Sequence, residues 1–107
     1  MAQGSTYITT ANSSTTIDWS RGNIQELNTF LCDGVKTITF SNIQDGASYM
    51  LLISGAAAHS GTCLMAGSGY TFKASGGNVA PTASRDVIFT FVVINNIVLY
   101  SMTDNLQ

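Results

Sequence analysis

The stretch DVIFTFVVINNIVLYSM, residues 86–102, is the most apolar of the chain. It narrows the possible folds more than any other feature. A strand with one wet face alternates apolar and polar residues. Here Val87, Phe89, Phe91 and Val93 share one side, while Ile88, Thr90, Val92 and Ile94 share the other. Past Asn95-Asn96, Val98, Tyr100 and Met102 oppose Ile97, Leu99 and Ser101. An Asn-Asn pair can supply the positive φ angles of a type I′ turn, so 86–103 reads as a hairpin. Residues 48–54, SYMLLIS, repeat the pattern: Tyr49, Leu51 and Ile53 oppose Met50 and Leu52. By contrast KTITF alternates cleanly, with Ile38 and Phe40 inward and Thr37 and Thr39 outward; Lys36 shares the inward side but opens the strand. Two parts of the chain therefore carry one apolar face more than a single core can cover.

The rest of the sequence is also strand-like. Period-2 segments fall at 7–10, 15–19, 23–31, 36–40, 48–54, 62–65, 70–73, 86–94 and 97–103, separated by breakers such as SRG, DGA, SGAAAHSG, AGSG and ASGGNVAPTAS. Segment 23–31, NIQELNTFL, competes as a helix through Ile24, Leu27 and Leu31, but its shortness and flanking breakers favour a strand. Regularly spaced short strands predict an all-β fold, a sandwich or a small barrel, and an antiparallel β-sandwich of jelly-roll type is the expected one. The expected organisation is a lead-in over 1–14 and one sandwich domain over 15–107, since 107 residues suit a single modest core.

Charge excludes several functions. Charged residues are 9% of the chain, against about 25% in typical domains. The basic residues Arg21, Lys36, Lys73 and Arg85 are scattered, so no patch suits nucleic acid or anionic lipid. No run reaches the ~18 apolar residues of a membrane helix, which argues against membrane insertion. MAQGSTY lacks the basic and apolar regions of a signal peptide. Polarity comes from Ser, Thr, Asn and Gln, a neutral hydroxyl-rich surface that suits an extracellular or virion protein. Cys32 and Cys63 are read as free buried thiols in preference to a disulfide.

A two-layer sandwich leaves the outer face of each sheet wet. The second apolar face would form a patch larger than soluble monomers tolerate. Homo-oligomerisation is the simplest cover. The long loop 74–85 folding over the face and a neighbouring domain are the alternatives.

TIDWSRGNIQELNTFLCDGVKTITFSNIQDGASYMLLISG, then ASGGNVAPTAS, then DVIFTFVVINNIVLYSM, resembles the C-terminal tip domain of bacteriophage tail fibres. The shared pieces are the Asp-Trp-Ser start at Asp18, the Gly22-Asn23 pair, TITFSN at 37–42, the strand at 46–54, the Gly-Gly…Ala-Pro-Thr loop at 76–82 and the closing strands at 86–100. Related tips occur in cell-surface fibre adhesins of predatory bacteria. The resemblance spans 15–102. Its middle strands depart from the family, with TCLMAGSGYTF where members often carry a Trp-Pro pair. It implies a β-sandwich homotrimer at a fibre end that binds a cell-surface glycan or protein without cofactor or catalysis. The two-faced strands then supply the expected trimer interface: Met50, Leu52, Val92, Ile94, Val98 and Tyr100. A purely structural trimerisation cap and a pilus-like donor-strand subunit are the other readings.

Alternating strand directions put the loops at 11–14, 32–35, 55–61 and 74–85 at one end, and those near 21, 42–47, 66–69 and 95–96 at the other. The first group holds the longest loops, and on the fibre reading it is the distal tip. The expected receptor contacts are Asp33, His59, Ser60, Lys73, Asn78 and Arg85. His59 is the only histidine and has no ligand-spaced partner, so a solvent-facing loop residue is expected before a metal ligand. Of the carboxylates, Asp33, Asp45 and Asp86 sit at turns or strand ends, where Asp satisfies backbone groups; a glycosidase pair is not favoured. Gly67–Gly69 lacks the helix of a phosphate loop. Trp19 is expected in the core.

Overall fold

The computed structural model describes residues 7–10, 15–30, 35–54, 62–74 and 86–103. Nine strands follow in chain order: β1 Tyr7–Thr10, β2 Thr15–Asp18, β3 Ile24–Asn28, β4 Val35–Ser41, β5 Ser48–Ser54, β6 Thr62–Ala66, β7 Thr71–Ala74, β8 Val87–Ile94 and β9 Ile97–Thr103. One 3₁₀ turn, Trp19–Arg21, joins β2 to β3, and the described residues contain no α-helix. The segment that could have been helical is β3. It ends at Thr29, whose φ of 67° is rare for a β-branched residue. The Thr29 N–H donates to the Ser54 carbonyl at 2.6 Å, which holds the chain in that turn.

The strands form two sheets. One is six-stranded in the order β1-β3-β5-β8-β9-β7; the other is three-stranded in the order β2-β4-β6. From β1 to β6 the chain alternates between them, odd strands in the large sheet and even strands in the small one. Each return lays a strand beside its predecessor in the same direction. Hence β1/β3, β3/β5, β2/β4 and β4/β6 are parallel pairs; β7/β9 is parallel too, though β7, β8 and β9 all lie in the large sheet. Antiparallel pairing is confined to β5/β8 and β8/β9. The all-β class stands, but the expected antiparallel pairing is corrected to mixed sheets with a coil-like start. Periodicity reveals which side of a strand is buried, not which strand lies beside it. β1, expected within a lead-in, is the edge strand of the large sheet, with Tyr7 opposite Gln25.

One core takes side chains from both sheets: Ile17, Ile38, Phe40 and Met65 from the small one, Leu27, Leu51, Phe89 and Val98 among those from the large one. Trp19 is buried as expected. It stacks on Tyr49 at 4.4 Å and on Phe40 at 5.2 Å, and meets Phe91 edge-on at 5.8 Å. Phe40 also packs on Phe91 at 5.1 Å and on Phe72 at 5.8 Å, which ties β4 to β8 and β7. Such pairs add about 0.5–1.5 kcal/mol each beyond area burial. Gly67 lies where β6 leaves this cluster. A Cβ there would fall 2.8 Å from Ile43 Cδ1, 3.1 Å from Phe72 Cε1 and 3.2 Å from the Phe40 carbonyl oxygen.

Two further expectations change. Cys63 is disulfide-bonded, not a free thiol. The only other cysteine in the sequence is Cys32, which lies outside the described residues. In the β8–β9 hairpin, Ile94 faces Ile97 across two residues, but of the two asparagines only Asn95 has positive φ, at 56°. A type I′ turn needs both.

Candidate functional site

Register assigns every strand residue of the large sheet to a face. Inward go Leu27, Leu51, Phe89 and Phe91 with their row partners. Outward go three aligned rows. Ile94 and Ile97 face each other beside Thr71. Ser48, Val92, Leu99 and Lys73 form the next row. Ile24, Met50, Thr90 and Ser101 form the third, in which the two hydroxyls lie 2.9 Å apart. Beyond these, Ile8, Glu26, Leu52 and Ile88 lead to a polar margin at Thr10, Asn28 and Ser54. The face is apolar toward the β8–β9 turn and polar at its far end. Six of the eight exposed large apolar residues lie on it: Ile8, Ile24, Met50, Val92, Ile94 and Leu99.

The small sheet is the contrast. Its outer face carries Thr16, Thr37, Thr39 and Ser41, with Leu64 as the large apolar exception. A hydroxyl-rich face is at ease in water; a face of Ile, Met, Val and Leu is not. The asymmetry makes the outer face of the large sheet the candidate interaction surface.

Of the residues expected at an interface, Met50, Val92 and Ile94 are exposed on this face and Leu52 is half-buried there. Val98 and Tyr100 are not on it. They point into the core opposite Val93 and Phe91, and burial pushes the Tyr100 hydroxyl pKa up. Outward on β9 are Ile97, Leu99 and Ser101. Because both sides of β9 are apolar, sequence parity alone could not choose between them. Ile24 and Ile8 were also missed, since they join the face only through parallel pairing with β5 and β3.

The expected receptor residues divide differently. Asp33, His59, Ser60, Asn78 and Arg85 lie outside the described residues. Lys73 is exposed on the outward side of β7, in register with Leu99, on the same face as the apolar rows.

The loops expected to share an end do so, and hydrogen bonds knit them. Asp18 Oδ1 accepts from Ser20 N–H at 2.9 Å, Ser20 Oγ at 2.7 Å and Asn42 Nδ2 at 2.7 Å. These bonds, Asn42 first, hold the Asp18 carboxyl at a pKa of about 2, with a small contribution from Arg21 at 4.0 Å. Asp45 Oδ1 accepts from Asn95 N–H at 2.6 Å, so the β4–β5 loop caps the hairpin turn. Gly46, at φ 81°, donates its N–H to the Val93 carbonyl at 2.9 Å. Tyr70 donates its hydroxyl proton to the Ile43 carbonyl, and Tyr49 Oη accepts from Gln44 N–H, both at 3.0 Å. Buried Gln25 donates through Nε2 to the Asp18 and Gly22 carbonyls, at 2.7 and 2.9 Å, while its Oε1 has no partner. This end is a rigid structural clasp. Each acidic side chain in it is committed to a neighbouring donor.

Among the described residues no group of three or more His, Cys, Asp or Glu could hold a metal ion. No helix among them is long and apolar enough to cross a membrane. No protein-family model, curated protein or solved structure matches the chain.

Proposed function

We propose that the chain is a non-enzymatic fibre-tip module. It forms a homotrimer through the outer face of its large sheet and binds a cell-surface receptor, most simply a glycan, through loops at the end opposite the clasp. Each subunit is then a sandwich whose second apolar face is covered by neighbouring copies. The setting is extracellular, on a virion tail fibre or a bacterial cell-surface fibre. One observation carries the reading: among the described residues, the outer face of the six-stranded sheet exposes six large apolar side chains, Ile8, Ile24, Met50, Val92, Ile94 and Leu99, whereas that of the small sheet exposes one, Leu64. A surface this apolar is stable in water only when another surface covers it. The tail-fibre resemblance supplies the stoichiometry and the receptor class, and Asp33, His59, Ser60, Asn78 and Arg85 in the loops at 32–35, 55–61 and 74–85 suit hydroxyl recognition.

Size-exclusion chromatography with light scattering tests the assembly. A compact trimer is expected; a soluble monomer refutes the reading, and an open-ended polymer points to donor-strand assembly instead. A glycan array tests the adhesin role. Absence of binding across a broad array, with the trimer intact, reduces the module to a structural cap or a protein binder.

A further inference from the structure

The strands of the large sheet contain two charged residues, and both sit on its outer face. Glu26 on β3 lies in the row with Ile8 and Leu52; Lys73 on β7 lies in the row with Leu99 and Val92. They occupy opposite corners. Four strand spacings separate β3 from β7, about 19 Å, and the two rows are four residues apart, about 13 Å. They cannot meet within one subunit. The one ion pair between described side chains is Arg21 with Asp18, at the clasp.

Each charge borders the apolar field. Glu26 is half-buried beside Leu52, and its Oε2 accepts the Ser54 hydroxyl at 2.5 Å, which fixes the carboxylate on the face. Asp86 immediately precedes β8 at the same end of the sheet, midway between the two margins, and adds to the negative sign of that end. A charge at the margin of an apolar contact must be matched or it opposes the contact. Opposite signs at opposite corners are what a surface needs in order to pair with copies of itself.

We infer that Glu26 of one copy pairs with Lys73 of the next, and that these contacts set the register of the assembly around the apolar face. The inference rests on the self-association reading and names its contacts. In a closed ring the β7 margin of each subunit abuts the β1–β3 margin of its neighbour. Levelling a 13 Å row offset over 19 Å requires strands inclined about 35° to the ring axis, the range found in closed β assemblies. The face itself is large enough. Six strands about 4.8 Å apart and about 23 Å long give a flat area of roughly 600 Å², close to the ~800 Å² each partner brings to a standard interface. Lys73 is thereby an interface residue and not a receptor contact.

Charge reversal tests this on the full chain by sedimentation equilibrium at low salt. Glu26→Lys and Lys73→Glu should each weaken association about tenfold or more, and the double reversal should restore it. Circular dichroism confirms folding, and Glu26→Gln, which keeps a hydrogen-bond acceptor for Ser54, serves if Glu26→Lys misfolds. Raising salt to about 0.5 M should weaken the native assembly and strengthen the single reversals, whose like-charge contacts it screens. If the native chain associates but both reversals associate equally well, or the double reversal is as weak as the singles, the pairing is wrong while the self-association reading stands. A native chain that is monomeric overturns both.

Discussion

Val92 and Val93 are adjacent, have the same side chain, and face opposite environments. Val92 is 46% exposed on the outer face; Val93 is 1% exposed in the core, opposite Val98. Replacing each with Glu separates the two faces of β8. Val93 cannot swing outward, because its N–H donates to the Ala47 carbonyl at 3.0 Å and its carbonyl accepts from Gly46 at 2.9 Å. The new carboxyl would be desolvated and its folded-state pKa raised above neutrality. Keeping it protonated at pH 7, about 2.7 pH units above the unfolded value of ~4.3, costs about 4 kcal/mol. The lost valine burial adds about 1–2 kcal/mol. The sum, about 5 kcal/mol, is comparable to the whole stability expected of a domain this size. At about 4–8 °C per kcal/mol, the melting temperature should fall by about 20 °C or more, or the chain should be unfolded at room temperature. The pH dependence carries its own sign. A carboxyl whose folded pKa is raised binds more protons in the native state, so its contribution to stability falls as pH rises from ~4 to ~8. Measured against the native chain at each pH, the Val93→Glu defect should shrink to about 1–2 kcal/mol near pH 4. Val92→Glu should cost less than about 1 kcal/mol of subunit stability and should instead dissociate the oligomer. Thermal melts by circular dichroism at pH 4 and pH 7, with light scattering alongside, read all of this. A Val93→Glu chain that melts within a few degrees of native at pH 7, or a Val92→Glu chain that is the unstable one, would reverse the faces of β8.

Three more outcomes follow from the same coordinates. Reducing the Cys63 disulfide should lower stability by about 2–4 kcal/mol; melts with and without dithiothreitol measure it, and identical curves would contradict the bond. Asp18 is held at about 2 by the Asn42 and Ser20 bonds, below its ordinary 3.8. Its contribution is therefore complete above pH ~4 and lost as pH falls through 2, so Asp18→Asn should flatten the acid limb of a denaturation series between pH 4 and 2. Gly67→Ala should cost about 1–3 kcal/mol, because the added methyl meets Phe72 and the fixed Phe40 carbonyl as well as the yielding end of Ile43; a neutral result in urea denaturation would show that β6 and β7 can part there.

The strands themselves were legible in the sequence. Breakers such as Asp45-Gly46 and Gly67–Gly69 mark their ends, and KTITF shows its buried side by alternation alone. Trp19 was legible as core for another reason, that large aromatics on strands are more often buried. Strand partners were not. Ile24 and Met50 are neighbours through parallel pairing, and nothing in either strand encodes that the chain visits the other sheet between them. The interface list failed on β9 for a different cause: with apolar residues on both sides, only the pairing of Val98 with Val93 and Tyr100 with Phe91 reveals which side is inward. The disulfide was misjudged because a cysteine spacing carries no distance until the strands are placed. The charge diagonal of Glu26 and Lys73 depends on sheet order, so no reading along the chain could expose it.

The position of the last two strands has a consequence for how the molecule is made. β8 and β9 follow the other described strands in the chain, yet they occupy the interior of the large sheet, between β5 and β7. Until they arrive, β7 has no neighbour in its sheet and the core lacks Phe89, Phe91, Val98 and Tyr100. Closure of the large sheet must then wait for residues 86–103, and the long-range pairing that completes it is slow. A copy cut short before Asp86 has no central strands, no closed core and no Val92–Leu99 row. Such a copy lacks the face through which self-association is proposed, so on that reading assembly itself would select for chains that carry 86–103.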